Sequence, residues 1–386
     1  MTGRAEWPLG LARMSQALGR DLQRAARAAG GPERLWRAGR ADLGRWMRSA
    51  GNELDEIHRA RAGIDPAADA RRLHASGIAH IGRPDAAYPG ALLHLPDPPF
   101  GLFGRGDVEG AIALVAEAPV VAIVGCRRAT TQGLHLARDL GAELAERGAV
   151  VVSGLAHGID AAAHEGALRA GGTTVAVLGC GVDVAYPRRN RELAERICEK
   201  GALLSEYWPG TPPAPWRFPA RNRIVAGLAG AVAVVEAGRR SGALITADFG
   251  LELGRPVLAV PGWPGSVASE GCNALLRAGA ALLESAGDIV AEMPQAAWID
   301  VGRAPRSIEL DGLAGRIHDR LTREPMGADR LAEELGEDSA AVAGALALLE
   351  VEGLAVRGEG QRFWATPLPR GRLPGGGADA RGADYP

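Results

Sequence analysis

The sequence predicts an α/β protein: a doubly wound parallel sheet, preceded by a small helical domain and followed by a winged helix. Three observations carry this reading. Six runs, VVAIVG (120–125), AVVVSG (149–154), TTVAVLG (173–179), ALLSE (202–206), AVAVVEA (231–237) and PVLAVPG (256–262), are apolar with little polar alternation. Strands read this way when both faces of their sheet are covered. Helix-length stretches such as LHLARDLGAELAERG and LITADFGLELG lie between them, and strands alternating with helices build a parallel sheet. The third observation is that this pattern stops at both ends of the central region.

Residues 1–75 read as short helices, because Leu11, Met14, Leu18, Leu22 and Ala25 recur at spacings of three and four. Residues 76–118 include PDAAYPGALLHLPDPPFGLFGRGD, which is punctuated by Pro and Gly and reads as a connecting arm. The sheet region spans 119–295. After a polar break, residues 305–368 carry three short helices and a two-strand hairpin, the pattern of a winged helix-turn-helix. The Pro/Gly-rich end, 369–386, is expected to be disordered.

At 386 residues, 47% hydrophobic and with a net charge of −2, the chain has ample core material. Its overall charge points to no polyanion partner, so any basic surface must be local. Of the 44 basic residues only Lys200 is a lysine, so nearly every cationic site is a guanidinium. Cys126, Cys180, Cys198 and Cys272 form no C-x-x-C pair and the eight histidines no H-E-x-x-H, so no metal site is expected. MTGRAEWPLG lacks the pattern of a secretion signal, and the longest apolar run, Ile224 to Val235, is too short to span a bilayer. A cytoplasmic protein with no membrane contact is the expectation.

In an open parallel sheet, ligands bind in the crevice at the carboxyl ends of the strands. The loops leaving those ends are GCRRATTQG, SGLAHGID, GCGVDVAYPRRNR, SEYWPGTPPAPWRFPARNR, EAGRRSG and PGWPGSVASEG. Of 16 arginines between 120 and 290, ten fall in these loops: 127, 128, 188, 189, 191, 217, 221, 223, 239 and 240. Glycine there lets backbone approach a ligand closely, and loops that open helices favour anions. The rim is that of a groove for a phosphate-bearing ligand. Trp216 and Phe218, beside Arg217, Arg221 and Arg223, offer ring faces of the kind single-stranded nucleic acid stacks on; core packing accounts for the rings equally well.

GCGVDV lacks the third glycine of a dinucleotide fingerprint, and no G-x-x-x-x-G-K-[ST] is present. Catalytic equipment is sparse. His157, Asp160 and His164 cluster in HGIDAAAH, but Asp160 is placed to cap a helix and the histidines to pack. Asp183 and Glu206 are carboxylates with no evident partner. From the residues alone, nucleic acid and a nucleotide-like anion both stay open.

The runs GCRRATTQG, VSGLAHGIDAAAHEGAL, GCGVDVAYPRRNREL, LLSEYWPG, FPARNRIVAGL, VVEAGRRSGALITA, GRPVLAVPG and SEGCNALLRAGA, in this order, resemble the bacterial DNA-processing protein A family, DprA or Smf. The resemblance covers nearly the whole chain. It implies a Rossmann-like core that binds single-stranded DNA rather than a cofactor, and a protein with no catalytic residue. Such a protein helps load the RecA recombinase onto DNA in natural transformation (competence) and works as a homodimer. The family's G-S-R arginine falls on Arg127, and its F-P-x-R-N-R basic residues on Arg217, Arg221 and Arg223. With their neighbours in the same motifs, Gly125, Arg128, Ser153, Gly154, Phe218, Asn222, Arg239, Ser241 and Gly242, they make the implied nucleic-acid site. The family's usual serine is replaced here by Cys126, a poorer hydrogen-bond partner.

The N-terminal helices resemble the family's sterile-alpha-motif-like or helix-hairpin-helix-like domain. The winged helix also occurs in the family, but not in all members; here its second helix region, DRLAEELG and DSAAVAGALALLE, is acidic, which favours a protein contact over duplex DNA. The alternative class is an enzyme, a nucleoside-monophosphate phosphoribohydrolase of similar fold. That class carries P-G-G-x-G-T, where this chain has AVPGWPGS.

Overall fold

The computed structural model describes residues 6–300, 312–351 and 354–365. The chain divides at Asp300 into two compact units.

The first unit opens with six short helices: α1 (Trp7–Leu18), α2 (Gln23–Ala28), α3 (Pro32–Trp36), α4 (Arg40–Met47), α5 (Gly51–Ala62) and α6 (Pro66–Ala75). Leu11, Met14, Leu22, Leu35, Leu43 and Ile57 form their shared core. The periodic residues of the first helix thus turn inward, as an amphipathic stripe must.

Among the described residues of this unit, nine strands make one sheet. They are β1 (Ala79–Gly82), β2 (Gly101–Gly106), β3 (Val120–Val124), β4 (Val150–Ser153), β5 (Thr174–Val177), β6 (Ala202–Ser205), β7 (Ala231–Val234), β8 (Val257–Ala259) and β9 (Ala281–Leu282). Their order is β1-β2-β6-β5-β4-β3-β7-β8-β9. From β6 to β9 all neighbours are parallel, whereas β1 and β2 join antiparallel. The stretch read as a connecting arm therefore supplies two strands, with Phe103 paired to Ser205 and Gly104 to Leu204.

Helices α7 (Val108–Glu117), α8 (Thr131–Glu146), α9 (Ile159–Arg169), α10 (Arg191–Lys200), α11 (Arg217–Leu228), α12 (Gly242–Glu252), α13 (Glu270–Arg277) and α14 (Ala286–Glu292) cover both faces. Successive strand residues point to opposite sides. Val120, Ala122 and Val124 pack with Ile112, Ile224, Val225 and Ala247 on one face. Val121 and Ile123 pack with Leu140, Leu144, Ile159 and Ile289 on the other. Each such buried Val, Leu or Ile contributes about 1.5–3 kcal/mol relative to exposure.

The chain winds from β3 through β4 and β5 to β6, then returns by α11 to place β7 on the far side of β3. Loops leaving β3 and β7 therefore diverge, and a crevice opens between their carboxyl ends. That is the topological feature that positions the site.

In the second unit, α15 (Gly312–Arg323), α16 (Ala328–Leu335) and α17 (Ser339–Val351) surround Ile317, Leu331, Leu346 and Phe363. Strands β10 (Met326–Gly327), β11 (Ala355–Arg357) and β12 (Arg362–Ala365) pair antiparallel in the order β10-β12-β11. This is a winged helix. The C-terminal stretch 369–386, expected to be disordered, lies outside the described residues. No described helix is long and apolar enough to cross a membrane.

Candidate nucleic-acid interface

A cavity of about 1090 Å³ sits at the crevice between β3 and β7. The loop after β3 supplies Gly125, Cys126, Arg127 and Arg128; the loop after β7 supplies Gly238, Arg239 and Arg240. The first turn of α12 adds Ser241 and Gly242, and α11 adds Phe218, Arg221 and Asn222. The Cys126 N–H donates to the Glu236 carbonyl at 2.6 Å, tying the two loops together beside the crevice. Ten of the thirteen residues expected at the site line this cavity; Ser153, Arg217 and Arg223 do not.

Phe218 is the central ring. The Arg127 guanidinium carbon lies 5.3 Å from its centroid, and Tyr186 stacks on it at 5.3 Å with an interplanar angle of 25°. Tyr186 had no place in the sequence reading; its signal was an aromatic residue beside the arginines of AYPRRN. Arg127, Arg128, Arg239 and Arg240 are exposed and make no ion pair with any described residue. One guanidinium held beside a ring, Arg127, and three more at the rim without a described carboxylate partner are what bases and phosphates require.

The two helices whose first turns border the cavity differ. Thr130, which caps α8, donates its N–H to both Glu236 oxygens at 3.2 and 3.1 Å and its hydroxyl at 2.9 Å. An internal carboxylate thus already fills that positive end. At α12, Ser241 caps with its own hydroxyl, which accepts from the Ala243 N–H at 3.4 Å, and no acidic side chain occupies the first turn. Asn222 donates to the Gly242 carbonyl at 3.0 Å and so fastens α11 to this end.

The arginines of WRFPARNR lie on a helix, not on a loop, and two of them turn inward. Arg221 and Arg223 are each only 5% exposed. Arg221 donates to the Gly154 carbonyl at 2.7 Å and to the Val177 carbonyl, and its Nε donates to Asn222 Oδ1 at 3.1 Å. Asp160 is its buried counter-charge. Asp160 does not cap α9, whose N-cap is Gly158; its carboxylate turns inward and accepts from the Ala156 N–H at 3.3 Å. Arg223 pairs with Glu206 and Asp97, which gives Glu206 the partner the sequence did not disclose. Burial alone would lower the Arg223 pKa, but Glu206 and Asp97 hold it above the ordinary arginine value.

Arg217, at the start of α11, lies between two rings, 5.2 Å from Tyr207 and 4.8 Å from Trp216, and donates to the Pro212 carbonyl. Trp216 is 53% exposed, so it presents a ring face to water. Ser153 lies within the sheet, where its hydroxyl donates to the Ile123 carbonyl at 2.6 Å. Asp183 accepts from the Gly210 N–H at 2.7 Å.

His164 is fully buried, with Nδ1 2.7 Å from the Thr174 hydroxyl, and burial together with the Arg221 charge pushes its pKa down to about 3. Burial, reinforced by Glu236, pushes the Cys126 thiol up to about 11, so it stays protonated at neutral pH. Among the described residues no group of His, Cys, Asp and Glu could hold a metal ion.

Residues 79–294 match the family of DNA recombination-mediator protein A, and 302–361 match the DprA winged helix domain. The chain is 42% identical over 328 residues to a putative DNA processing protein DprA of Mycobacterium tuberculosis, covering 79% of this chain and 82% of that one. It is 44% identical over 208 residues to DNA processing protein DprA of Streptococcus pneumoniae, covering 54% and 72%. The solved structure of DNA processing protein A from Streptococcus pneumoniae matches with a TM-score of 0.63 at 34% identity, over 75% of this chain and 99% of that one. That of the Helicobacter pylori protein, solved to describe its single-stranded DNA binding mode, matches with a TM-score of 0.51 at 31% identity, over 56% and 96%. With a winding, a C-terminal domain and a sequence that all agree, the chain belongs to the DNA recombination-mediator protein A (DprA/Smf) family.

Proposed function

We propose that this chain binds single-stranded DNA in the cavity between β3 and β7 and helps load RecA onto it, as a homodimer, during uptake of DNA in natural transformation. The carrying observation is the stack of Arg127 and Tyr186 on Phe218 inside a rim of unpaired guanidinium groups. Unstacked bases would lie against the rings while Arg127, Arg128, Arg239 and Arg240 meet phosphates, together with the first turn of α12. Bases paired inside a duplex could not reach those rings.

Arg221 shapes the wall from beneath, and Arg223 holds α11 in place. The acids an N-glycosidase would draw on are engaged internally: Glu236 by Thr130, and Asp160 by Ala156 and the Arg221 charge. The geometry thus favours binding over hydrolysis. Edge strand β9, with Leu282 exposed, offers an apolar margin on which a second copy could sit.

The deciding experiment is fluorescence anisotropy with labelled single-stranded and duplex oligonucleotides of equal length at several salt concentrations. Tight, salt-sensitive, single-strand-selective binding is expected. Equal binding to both forms, or none to either, would overturn the assignment. RecA assembly on single-stranded DNA with and without the chain tests the loading step, and sedimentation tests the dimer.

A further inference from the structure

Outside the cavity wall, one aromatic ring has no packing role. Trp263 leaves 81% of its surface in water, more than any other large apolar residue described. No other ring and no guanidinium stacks on it among the described residues. Single exposed apolar residues are ordinary, but the backbone that carries this one is braced.

Trp263, Pro264, Gly265 and Ser266 form a tight turn closed by the Ser266 N–H donating to the Trp263 carbonyl at 3.0 Å. Proline second and glycine third, with Gly265 at φ +92°, is the signature of a type II turn. The flanks are pinned as well. Gly262 donates its N–H to Asn273 Oδ1 at 3.1 Å and accepts from Asn273 Nδ2 at 3.0 Å. Ser269 N–H donates to the Ser266 carbonyl at 3.0 Å, and Gly271 N–H to the Ala237 carbonyl at 2.8 Å. The indole is therefore raised into water on a fixed mount.

That mount adjoins the cavity. Val267 and Ala268, next along the same loop, wall it together with Arg239 and Arg240. The turn keeps the Trp263 Cα within about 7 Å of that of Ser266, and one further residue adds about 3.8 Å. The Trp263 Cα thus lies within about 11 Å of that of Val267, which walls the groove together with Arg239 and Arg240.

We propose that Trp263 is a second base platform: the nucleotide leaving the cavity past Arg239 and Arg240 stacks on its indole. This rests on the single-stranded DNA reading of the cavity. A nucleobase is the occupant because the loop that carries the ring goes on to wall the cavity through Val267 and Ala268, and the charges on that same wall, Arg239 and Arg240, are cations without a described carboxylate partner. Stacking of this kind tolerates any base sequence.

The test is anisotropy of the full chain with labelled oligothymidylates of increasing length, comparing wild type, W263F and W263A. All three are expected to bind the shortest oligonucleotide that fills the cavity equally. On longer ones W263A is expected to lose about five- to hundredfold in affinity, with W263F close to wild type. Indole fluorescence quenched further by long than by short oligonucleotides in wild type, with that difference lost in W263F, gives a second readout. W263A binding long oligonucleotides as tightly as wild type, with short ones still bound, would overturn the platform and leave the cavity reading standing. W263A that shifts only the sedimentation coefficient would overturn it in favour of a contact between proteins. No oligonucleotide bound by any version would overturn the cavity reading, and the platform with it.

Discussion

Arg223 grips Glu206 with both terminal nitrogens, Nη1 to Oε1 at 2.9 Å and Nη2 to Oε2 at 2.6 Å, while its Nε lies 3.2 Å from Asp97 Oδ1. The pair locks α11 to the end of β6, and Asp97 joins it from the segment before β2. Removing one partner of a buried pair leaves the other charge stranded, at a cost of about 3–5 kcal/mol. R223A is therefore expected to unfold at markedly lower urea, with R223K intermediate because an ammonium cannot make the two-pronged contact. Urea unfolding followed by circular dichroism checks this. An R223A protein of wild-type stability that has lost oligonucleotide affinity would make Arg223 a ligand contact instead.

Arg127 has the opposite profile. It is exposed and stacks on Phe218, so its removal should spare the fold and weaken binding of single-stranded DNA. Deleting the cation that meets one phosphate lowers the log–log salt slope by about 0.7. R127K should keep most of that slope but lose the planar stack. Titrations of wild type, R127A and R127K at several salt concentrations separate the two contributions.

The contrast between these two arginines marks how much the sequence could disclose. The central strands were legible because strands buried on both faces need apolar side chains at every position, as Val120–Val124 has. Strands β1 and β2 were not. In GLFGRG, glycine at 104 faces Val108 at a distance where a Cβ would collide, and such glycines read as a linker. Helix α11 was hidden because its buried residues include two arginines, Arg221 and Arg223, and then run unbroken from Ile224 to Leu228, leaving no amphipathic period. The motif resemblance brought ten of the cavity-lining residues into view. It could not say which arginines turn inward, since that depends on partners 17 and 67 residues away in sequence, Glu206 and Gly154.

Gly154 is the floor on which Arg221 rests. A Cβ there would run into all three terminal atoms of the Arg221 guanidinium, which could make way only by giving up its hydrogen bonds to the Gly154 and Val177 carbonyls. G154A should cost about 1–3 kcal/mol through overpacking and displace Arg221 toward the cavity. The expected result is a lower melting temperature together with weakened oligonucleotide binding. A G154A protein that melts and binds as wild type would show that the guanidinium moves freely.

His164 sets an acid limit on stability. Its folded pKa of about 3 lies below the ordinary value of 6.5 because burial, with the Arg221 charge, disfavours the imidazolium. Between those pH values the unfolded chain binds a proton that the folded chain refuses, so this residue's contribution to stability falls as pH drops from about 6.5 toward 3. The slope approaches about 1.4 kcal/mol per pH unit. The groups facing it are the Thr174 hydroxyl, at 2.7 Å from Nδ1, and Arg221, and neither titrates in that window. H164Q keeps a polar group opposite Thr174 but cannot take up a proton. It is expected to be less stable than wild type at pH 7.5 and to lose less stability on acidification to pH 5. Urea midpoints of both proteins at the two pH values decide the matter, and parallel losses would assign the acid sensitivity to other groups.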